Sequence, residues 1–448
     1  MNKLIASVGV IALSSSVLHA LETGALNAQQ SKKAWSVSAS LRGFYDDNFN
    51  SQPSASKQSS TGFDVAPSVN FGVAGEQSSL NVGYDLTARY YEKVLGGRTD
   101  HTDFTHNFNA TATHAFDERF RVNGRESFVV GQEPDFLSGG QNVVNPQRVS
   151  GDNLRNYASA GASFQATSLL GFSVSYNNTI VDYDDDFNDL SNPANQIFSS
   201  SGRLDRMEHG VNLGASLVIS PQTTGKVGVQ LGKTGYTRDE IIARTRYSVT
   251  IGTNVFVGDV DTRSADRDSR SQVFNVGLEH EFDSNLSVSG SVGAQRTEFP
   301  NDQNRKSSWT PWLEASFDYK LQAQTTLSGG FSYSRSHSDL VDAKVNNTTN
   351  SVDFVTDSKT AAIYASLKHE IAQNLQGFAT ARYQSAKYNG GIVDGQKENF
   401  LLLGLSLAYQ FNPNFEGNIG YNFDQLTTDT PGRKYDRNKF YVGVTAKY

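Results

Sequence analysis

The 448-residue chain contains no cysteine and only ten prolines, and it has no long apolar run beyond its first twenty residues. Without cysteine the chain can have no disulfide framework, no thiol catalysis and no thiolate metal site. Proline cannot donate to a sheet ladder, so its scarcity suits an extensive β-sheet. A membrane-spanning helix needs about 18 apolar residues in succession, and their absence argues against a helical membrane protein.

Charge of one sign is also lacking, because 39 Lys and Arg residues nearly balance 46 Asp and Glu residues. A nucleic-acid binder would show a basic excess and clustered cations, so that class is excluded. Mean hydropathy is −0.46. A membrane β-barrel can show such a value, since its lipid-facing apolar residues alternate with polar residues that face the lumen. The 39 glycines, 27 phenylalanines and 19 tyrosines suit tight turns and aromatic girdles.

The first residues have the features of a secretory signal. Lys3 precedes an apolar run that extends to about Leu18, and the small residue Ala20 follows it. The run is short for a transmembrane anchor and contains three consecutive serines. We therefore predict a signal peptide and short N-terminal segment over residues 1–28, cleaved after Ala20 or Ala28, and a single barrel domain over residues 29–448.

Apolar and polar residues alternate with period two in many segments of the remaining chain, which predicts β-strands with one apolar face. Four apolar stripes show the pattern: Leu80, Val82, Tyr84, Leu86, Ala88 and Tyr90; Phe104, Phe108, Ala110, Ala112 and Phe116; Phe274, Val276, Leu278 and Phe282; and Leu401, Leu403, Leu405, Leu407, Tyr409 and Phe411.

The connections between these segments alternate between short and long, as in outer-membrane barrels. We predict an all-β transmembrane antiparallel barrel of about 18 strands. The count could be 16, because the long 235–271 stretch could hide or lose a hairpin. Both termini are predicted to be periplasmic, and no helix is predicted. The short turns lie near 75–77, 117–118, 168–171, 220–224, 283–285, 322–324, 372–374 and 412–414. The long loops lie near 46–61, 92–101, 132–152, 183–202, 235–271, 299–307, 336–358, 388–397 and 425–436.

The last ten residues form the sharpest motif, because apolar residues alternate strictly and the chain stops on an aromatic. This resembles the C-terminal strand signal of outer-membrane proteins and predicts recognition by the barrel-assembly machinery. Its residues are Phe440, Val442, Val444, Ala446 and Tyr448.

Three further segments resemble the type 2 β-barrel porin family. They are Leu41–Asn48, which contains the Tyr-x-Asp-Asn element at 45–48, Val65–Phe71 and Ala88–Tyr91. The resemblance covers about the first hundred residues and the C-terminal strand. It implies an outer-membrane channel, with polysaccharide export proteins as partners and exopolysaccharide as the cargo. It assigns no functional residue.

If the apolar stripes face outer-membrane lipid, the opposite positions line the lumen. The signs of these charges nearly balance, so we expect no strong overall ion selectivity; opposed charges could still create a transverse field at a constriction. The alternative is that these charges are solvated lumen groups or partners in a wall network, since charges that face a water-filled interior need no function. The basic candidates are Arg42, Arg89, Arg119, Arg121, Arg125, Lys226, Lys368 and Arg382, with the three from 119 to 125 placed on one strand. The acidic candidates are Asp64, Asp85, Glu279, Glu281, Glu314, Asp318, Glu370 and Asp424.

A barrel of this size encloses an aqueous channel unless loops fold into it, and 235–271 is the longest candidate for such a loop. The acidic stretch 183–189 does not fit a calcium loop, because it lacks the sixth-position glycine and the late glutamate. His209, His280 and His369 fall on lipid-facing positions near strand ends, without a defined catalytic constellation. We therefore expect no metal, no cofactor and no enzymatic activity. The prediction is a porin-like channel for hydrophilic solute or polymer, with a barrel lipase or protease, or a structural or adhesive barrel, as alternatives.

Overall fold

A computed structural model describes residues 34–94, 100–132, 152–190, 198–251, 253–302, 307–338, 340, 343–346 and 351–448. The predicted signal peptide and most of the 132–152 loop lie outside these residues. Strands account for most of the described chain. Among the described residues, no helix has the length and apolar character needed to cross a membrane.

Eighteen strands form one sheet. Two short hairpins, β10–β11 and β16–β17, form separate two-stranded sheets within loops. The sheet strands are β1 Trp35–Asp46, β2 Ser60–Ala74, β3 Ser78–Tyr91, β4 Thr102–Ala115, β5 Phe120–Gly131, β6 Asn153–Gln165, β7 Leu170–Tyr183, β8 Arg206–Ser220, β9 Thr223–Tyr236, β12 Ser269–Glu281, β13 Leu286–Glu298, β14 Ser308–Gln322, β15 Thr325–Ser336, β18 Asp357–Ala372, β19 Leu375–Asn389, β20 Lys397–Asn412, β21 Phe415–Thr428 and β22 Tyr435–Lys447. The hairpin strands are β10 Ile241–Ile251, β11 Asn254–Arg263, β16 Ala343–Asn346 and β17 Ser351–Phe354.

The sheet closes on itself as an antiparallel barrel. Strand β1 pairs with β2 on one side and with β22 on the other. The ladder passes directly from β9 to β12 and from β15 to β18, so neither hairpin enters the wall. The prediction of about 18 strands is confirmed, and the 235–271 stretch does contain a hairpin, one that lies outside the barrel wall. Closure leaves no exposed strand edge, as a hydrocarbon environment requires.

Both chain ends of the barrel lie at the end that carries the short turns, which we call the turn end. The N–H of Tyr448 donates to the carbonyl of Val37 at 2.8 Å. Side chains shape several turns: the carboxylate of Asp117 accepts from two backbone N–H groups at 2.7 Å each, and Asp283 and Asn412 accept in the same way. Such residues hold the backbone in a turn because a short side chain replaces a backbone acceptor. All the predicted short turns fall between strands of the barrel.

The two faces of the wall differ in chemistry as the alternation predicts. Leu278 and Val442 are among many apolar side chains that remain more than half exposed. In a barrel without a surrounding bilayer, such exposure marks the lipid-facing surface. The five residues of the C-terminal motif all lie on this outward face, because their neighbours Thr445 and Lys447 are buried on the other.

The expectation of no helix is wrong in one place. A five-residue helix, α1 at Ser200–Leu204, precedes β8, and Ser199 caps it by accepting a hydrogen bond from the N–H of Gly202 at 3.0 Å. A single 3-10 turn at Ser264–Arg267 precedes β12. Both lie in long loops at the opposite end of the barrel, which we call the loop end.

Candidate functional site

The inward face is defined by strand register. Arg42, Asp64 and Arg89 occupy directly opposite positions on β1, β2 and β3. On each strand alternate residues share this face, and their directly opposite partners carry it to the next strand around the barrel. It carries every strand residue that the sequence suggested for the lumen: Arg42, Asp64, Asp85, Arg89, Arg121, Arg125, Lys226, Glu279, Glu281, Glu314, Asp318, Lys368, Glu370, Arg382 and Asp424.

Arg119 is the exception, because β5 begins only at Phe120. Arg119 lies in the turn whose carboxylate acceptor is Asp117, and it is exposed. The prediction that three arginines share one strand is therefore wrong. Arg121 and Arg125 remain together on β5.

A ladder of alternating charge crosses three strands in the half of the barrel nearer the loop end. Asp64 is 3 % exposed and accepts hydrogen bonds from Arg89 at 2.7 and 3.3 Å. Arg42 approaches the same carboxylate at 3.8 Å. Lys439 lies 4.8 Å from the centre of the Phe44 ring. A buried carboxylate requires nearby cations, since burying an unpaired charge costs several kcal/mol of free energy (roughly 3–5).

A second set of ion pairs continues this ladder on the strands beyond the closure. Arg437 pairs with Asp424 at 3.1 Å and approaches Asp46 at 3.9 Å. Arg433 holds Glu398 in a two-point contact at 2.9 and 3.1 Å. Of these residues, only Asp424 was predicted to line the lumen. Asp46 and Arg433 fall in the predicted loops 46–61 and 425–436, although Asp46 continues the alternation of Arg42 and Phe44.

The middle of the inward face is polar and contains many Ser, Thr, Asn and Gly residues. It also carries four of the predicted lumen charges: Asp85, Arg125, Glu314 and Arg382. The amide of Asn212 donates to Ser175 at 3.1 Å and to Asn177 at 3.2 Å. The Asn177 side chain lies over Gly210, where an added Cβ would meet its Oδ1 at 2.5 Å. Hydroxyl and amide groups of this kind can hydrogen-bond a hydrated solute without fixing the sign of its charge.

Loops fold onto the inward face at the loop end. Phe49, from the loop between β1 and β2, packs against the inward rings of Phe44 and Tyr91. Leu204 of α1 packs in the same way against Val181 and Tyr183. Several loops, and not 235–271 alone, therefore pack against the inward face at this end of the barrel. That they constrict the lumen stays a prediction.

Arg267 joins three of these loops. It is 1 % exposed, and its guanidinium donates to the carbonyl of Arg203 at 2.9 Å and to the carbonyl of Ser338. It also lies 4.6 Å from the centre of the Tyr236 ring. One side chain therefore links α1, the 3-10 turn and the loop that follows β15. Sequence reasoning missed it, because no local pattern distinguishes a buried loop arginine from a solvated one.

An acidic group surrounds Arg238 where two loops meet. Arg238 approaches Asp186 at 3.0 Å, Asp205 at 3.1 Å and Asp182 at 3.7 Å. Burial, reinforced by the neighbouring Asp182 carboxyl, raises the pKa of Asp205 to about 8, although the N–H of Tyr183 and Arg238 oppose the shift. The acidic stretch 183–189 thus serves loop packing through Asp186. Within the described ranges, no three His, Asp or Glu side chains are arranged to hold a metal ion.

Three histidines near the turn end form hydrogen bonds with hydroxyl groups of neighbouring strands. The Nδ1 atoms of His114, His280 and His369 lie 2.7–2.9 Å from Ser78, Thr223 and Thr325. The rings of His114 and His280 also contact Phe116 and Phe282 edge-on at 4.4 Å. His209 lies apart from these, 2.7 Å from the hydroxyl of Tyr176. In the part of the chain that is described, no carboxylate contacts any of these four rings.

A closed 18-stranded wall, an apolar outer surface and a polar inner surface define an outer-membrane porin-like β-barrel. Residues 344–448 match the family model described as "Putative beta-barrel porin 2". This confirms the resemblance found in the sequence and extends it over the strands from β18 to β22. No curated protein matches the chain in sequence.

Solved structures of outer-membrane proteins are similar to the chain in fold at low sequence identity. OccAB4 of Acinetobacter baumannii is 11 % identical with a TM-score of 0.43, over 94 % of this chain and 100 % of that one. The outer membrane protein opdK of Pseudomonas aeruginosa is 11 % identical with a TM-score of 0.44, over 92 % and 99 %. The FrpB iron transporter of Neisseria meningitidis is 9 % identical with a TM-score of 0.42, over 95 % and 83 %.

Proposed function

We propose that the protein is a channel for hydrophilic solutes and that exopolysaccharide is its cargo. The observation that carries the proposal is the closed wall of 18 strands with a polar inward face. A barrel of this strand number is too wide for wall side chains to fill, so water occupies what the loops leave open. The Ser, Thr and Asn side chains of this surface suit a polyhydroxylated chain, because they offer hydrogen-bond donors and acceptors between the charged side chains.

The polysaccharide is the finer part of the proposal and depends on the type 2 porin resemblance. In that reading, polysaccharide export proteins deliver the polymer to the turn end and the loop end releases it. The barrel-assembly machinery would recognise the last strand, from Phe440 to Tyr448.

The purified barrel should give stable single-channel conductance in planar bilayers. Replacing Arg121 and Arg125 by Ala should shift permeability toward cations, because both side chains lie on the inward face of β5. Arg270→Ala is the matched control, since it removes an exposed arginine from the outward face. A sealed barrel would contradict the channel, and an equal shift in the control would contradict the lumen assignment.

The cargo is tested separately in cells that lack the chain. Polymer should accumulate in the periplasm, and the wild-type gene should restore its release. A conducting barrel whose loss leaves polymer release unchanged would refute the polysaccharide while leaving the channel intact.

We also propose that the barrel is not an enzyme. The Ser78–His114 pair brings a hydroxyl close to a possible base, as a hydrolase requires, but it lacks a described carboxylate partner. Hydrolysis of lipid or peptide by the pure protein, abolished by Ser78→Ala, would overturn this view.

A further inference from the structure

Three lysines form a single cross-strand row at the loop end of the barrel. In the strand register Lys359 on β18 lies directly opposite Lys387 on β19, which in turn lies directly opposite Lys397 on β20. Lys387 and Lys397 are exposed, and Lys359 is half-buried. Like charges at directly opposite positions destabilise a sheet. Repulsion between these lysines therefore lowers the stability of the sheet, and no contact within the described chain offsets the loss.

The row lies on the outward face, immediately above the lipid-facing stripe. On β19 the alternation leads from Lys387 to Tyr383, which is 45 % exposed, while the intervening Gln384 is buried on the inward face. On β20 it leads from Lys397 through Asn399 to Leu401 and Leu403. The Tyr383 hydroxyl donates to the side chain of Asn399 at 3.1 Å. Tyrosine at such a position marks the boundary between hydrocarbon and headgroup.

Three lysines elsewhere in the barrel have carboxylate partners. Lys57 approaches Asp47 at 2.8 Å, and Lys447 approaches Glu416 at 2.6 Å. Lys226 pairs with Glu279. Among the described residues, no carboxylate lies within ion-pair distance of the three lysines in the row, so their charge calls for an anion from outside the chain.

We propose that this row binds the phosphate groups of an anionic lipid in the surrounding outer leaflet. A phosphate can approach neighbouring ammonium groups at once and so relieve their mutual repulsion. Acyl chains of the same molecule would lie against the apolar stripe that continues from Leu401. A soluble anion could use only the first of these two contacts, and for that reason we assign the site to a lipid.

The probe is a diphosphorylated disaccharide lipid in neutral phosphatidylcholine vesicles that contain the full barrel. Native mass spectrometry after mild detergent extraction should detect retained copies of the lipid. Replacing Lys387 and Lys397 by Ala should weaken retention about 30-fold, since each juxtamembrane cation contributes about a fivefold factor. Replacing both by Arg should preserve it.

Lys320→Ala combined with Lys434→Ala is the matched control, because it removes two exposed lysines from other parts of the barrel. The proposal is overturned if the control loses the lipid as the row variant does. It is also overturned if the dephosphorylated lipid is retained equally well. Displacement of the lipid by millimolar inorganic phosphate would show a free-anion site instead. None of these results depends on conductance.

Discussion

Replacing Arg267 by Ala should loosen the loops at the loop end without disturbing the barrel wall. Arg267 lies in a 3-10 turn outside the wall, and its guanidinium donates to carbonyl groups of two other loops. The Tyr236 ring lies against the same guanidinium at 4.6 Å. Truncation removes all three contacts together.

The magnitude follows from those contacts. A hydrogen bond that involves a charged group contributes about 1.5–3 kcal/mol. A desolvated cation–π contact contributes about 2 kcal/mol. These contributions sum to about 5–8 kcal/mol, but water can reach the freed carbonyl groups once the loops part, so we expect a smaller net loss of about 3 kcal/mol. That loss favours the open arrangement of the loops by about a hundredfold, at 1.4 kcal/mol per tenfold change.

Hydrogen exchange of the loop amides and single-channel conductance should both report the change. Arg267→Ala should exchange faster near Ser200–Leu204 and should conduct more. Arg267→Lys should fall between, because an ammonium group cannot reach both carbonyl groups in the same geometry. Arg246→Ala is the control: it breaks an exposed ion pair with Asp259 in the same long loop. Equal behaviour of the two alanine variants would refute the role of Arg267 as a link between loops.

Three further predictions concern single side chains. Arg89→Ala should lower the free energy of unfolding by about 2–3 kcal/mol, because it removes two charged hydrogen bonds from the buried Asp64, and an unchanged denaturation midpoint would contradict this. The raised pKa of Asp205 means that its contribution to stability is complete below its unfolded value of 3.8 and is lost as pH rises through about 8. Once the rise of the intrinsic base-catalysed exchange rate with pH is corrected for, the protection of the loop amides should fall between about pH 4 and about pH 8 in the wild type but not in Asp205→Asn, which lacks the titrating carboxyl. Glu126→Leu should raise stability in bilayers by about 1–2 kcal/mol, since the carboxylate faces lipid, and a loss of stability would show that another molecule covers it.

The wall could be predicted because its environment imposes a rule on every residue. Hydrocarbon outside and water inside force apolar and polar side chains to alternate, as Leu401, Leu403 and Leu405 do on β20. The short turns were equally readable, since a residue such as Asp117 forms its turn through contacts two and three positions away. Both signals are local, and a single sequence contains them in full.

The packing of the loops at the loop end could not be predicted, because its contacts join residues far apart in the chain. Nothing in the sequence around Phe49 indicates that it packs against Phe44 and Tyr91. Arg267 and Ser338 are separated by 71 positions, and neither carries a local pattern that points to the other. Arg119 shows the converse error: charge alone suggested a lumen residue where the backbone forms a turn.

The distribution of charge along the inward face indicates where selectivity is set. The paired charges of Arg42, Asp64, Arg89 and Glu398 lie toward the loop end, where Phe49 packs against the inward face. The middle of the face offers hydroxyl and amide groups together with a few charges of both signs, and this mixture discriminates weakly between ions. The two charges of an ion pair within the wall largely cancel at the position of a solute, so we expect the wall alone to discriminate weakly between anions and cations. Loop variants should therefore change both conductance and selectivity, whereas neutral substitutions among the serines of the middle should change neither.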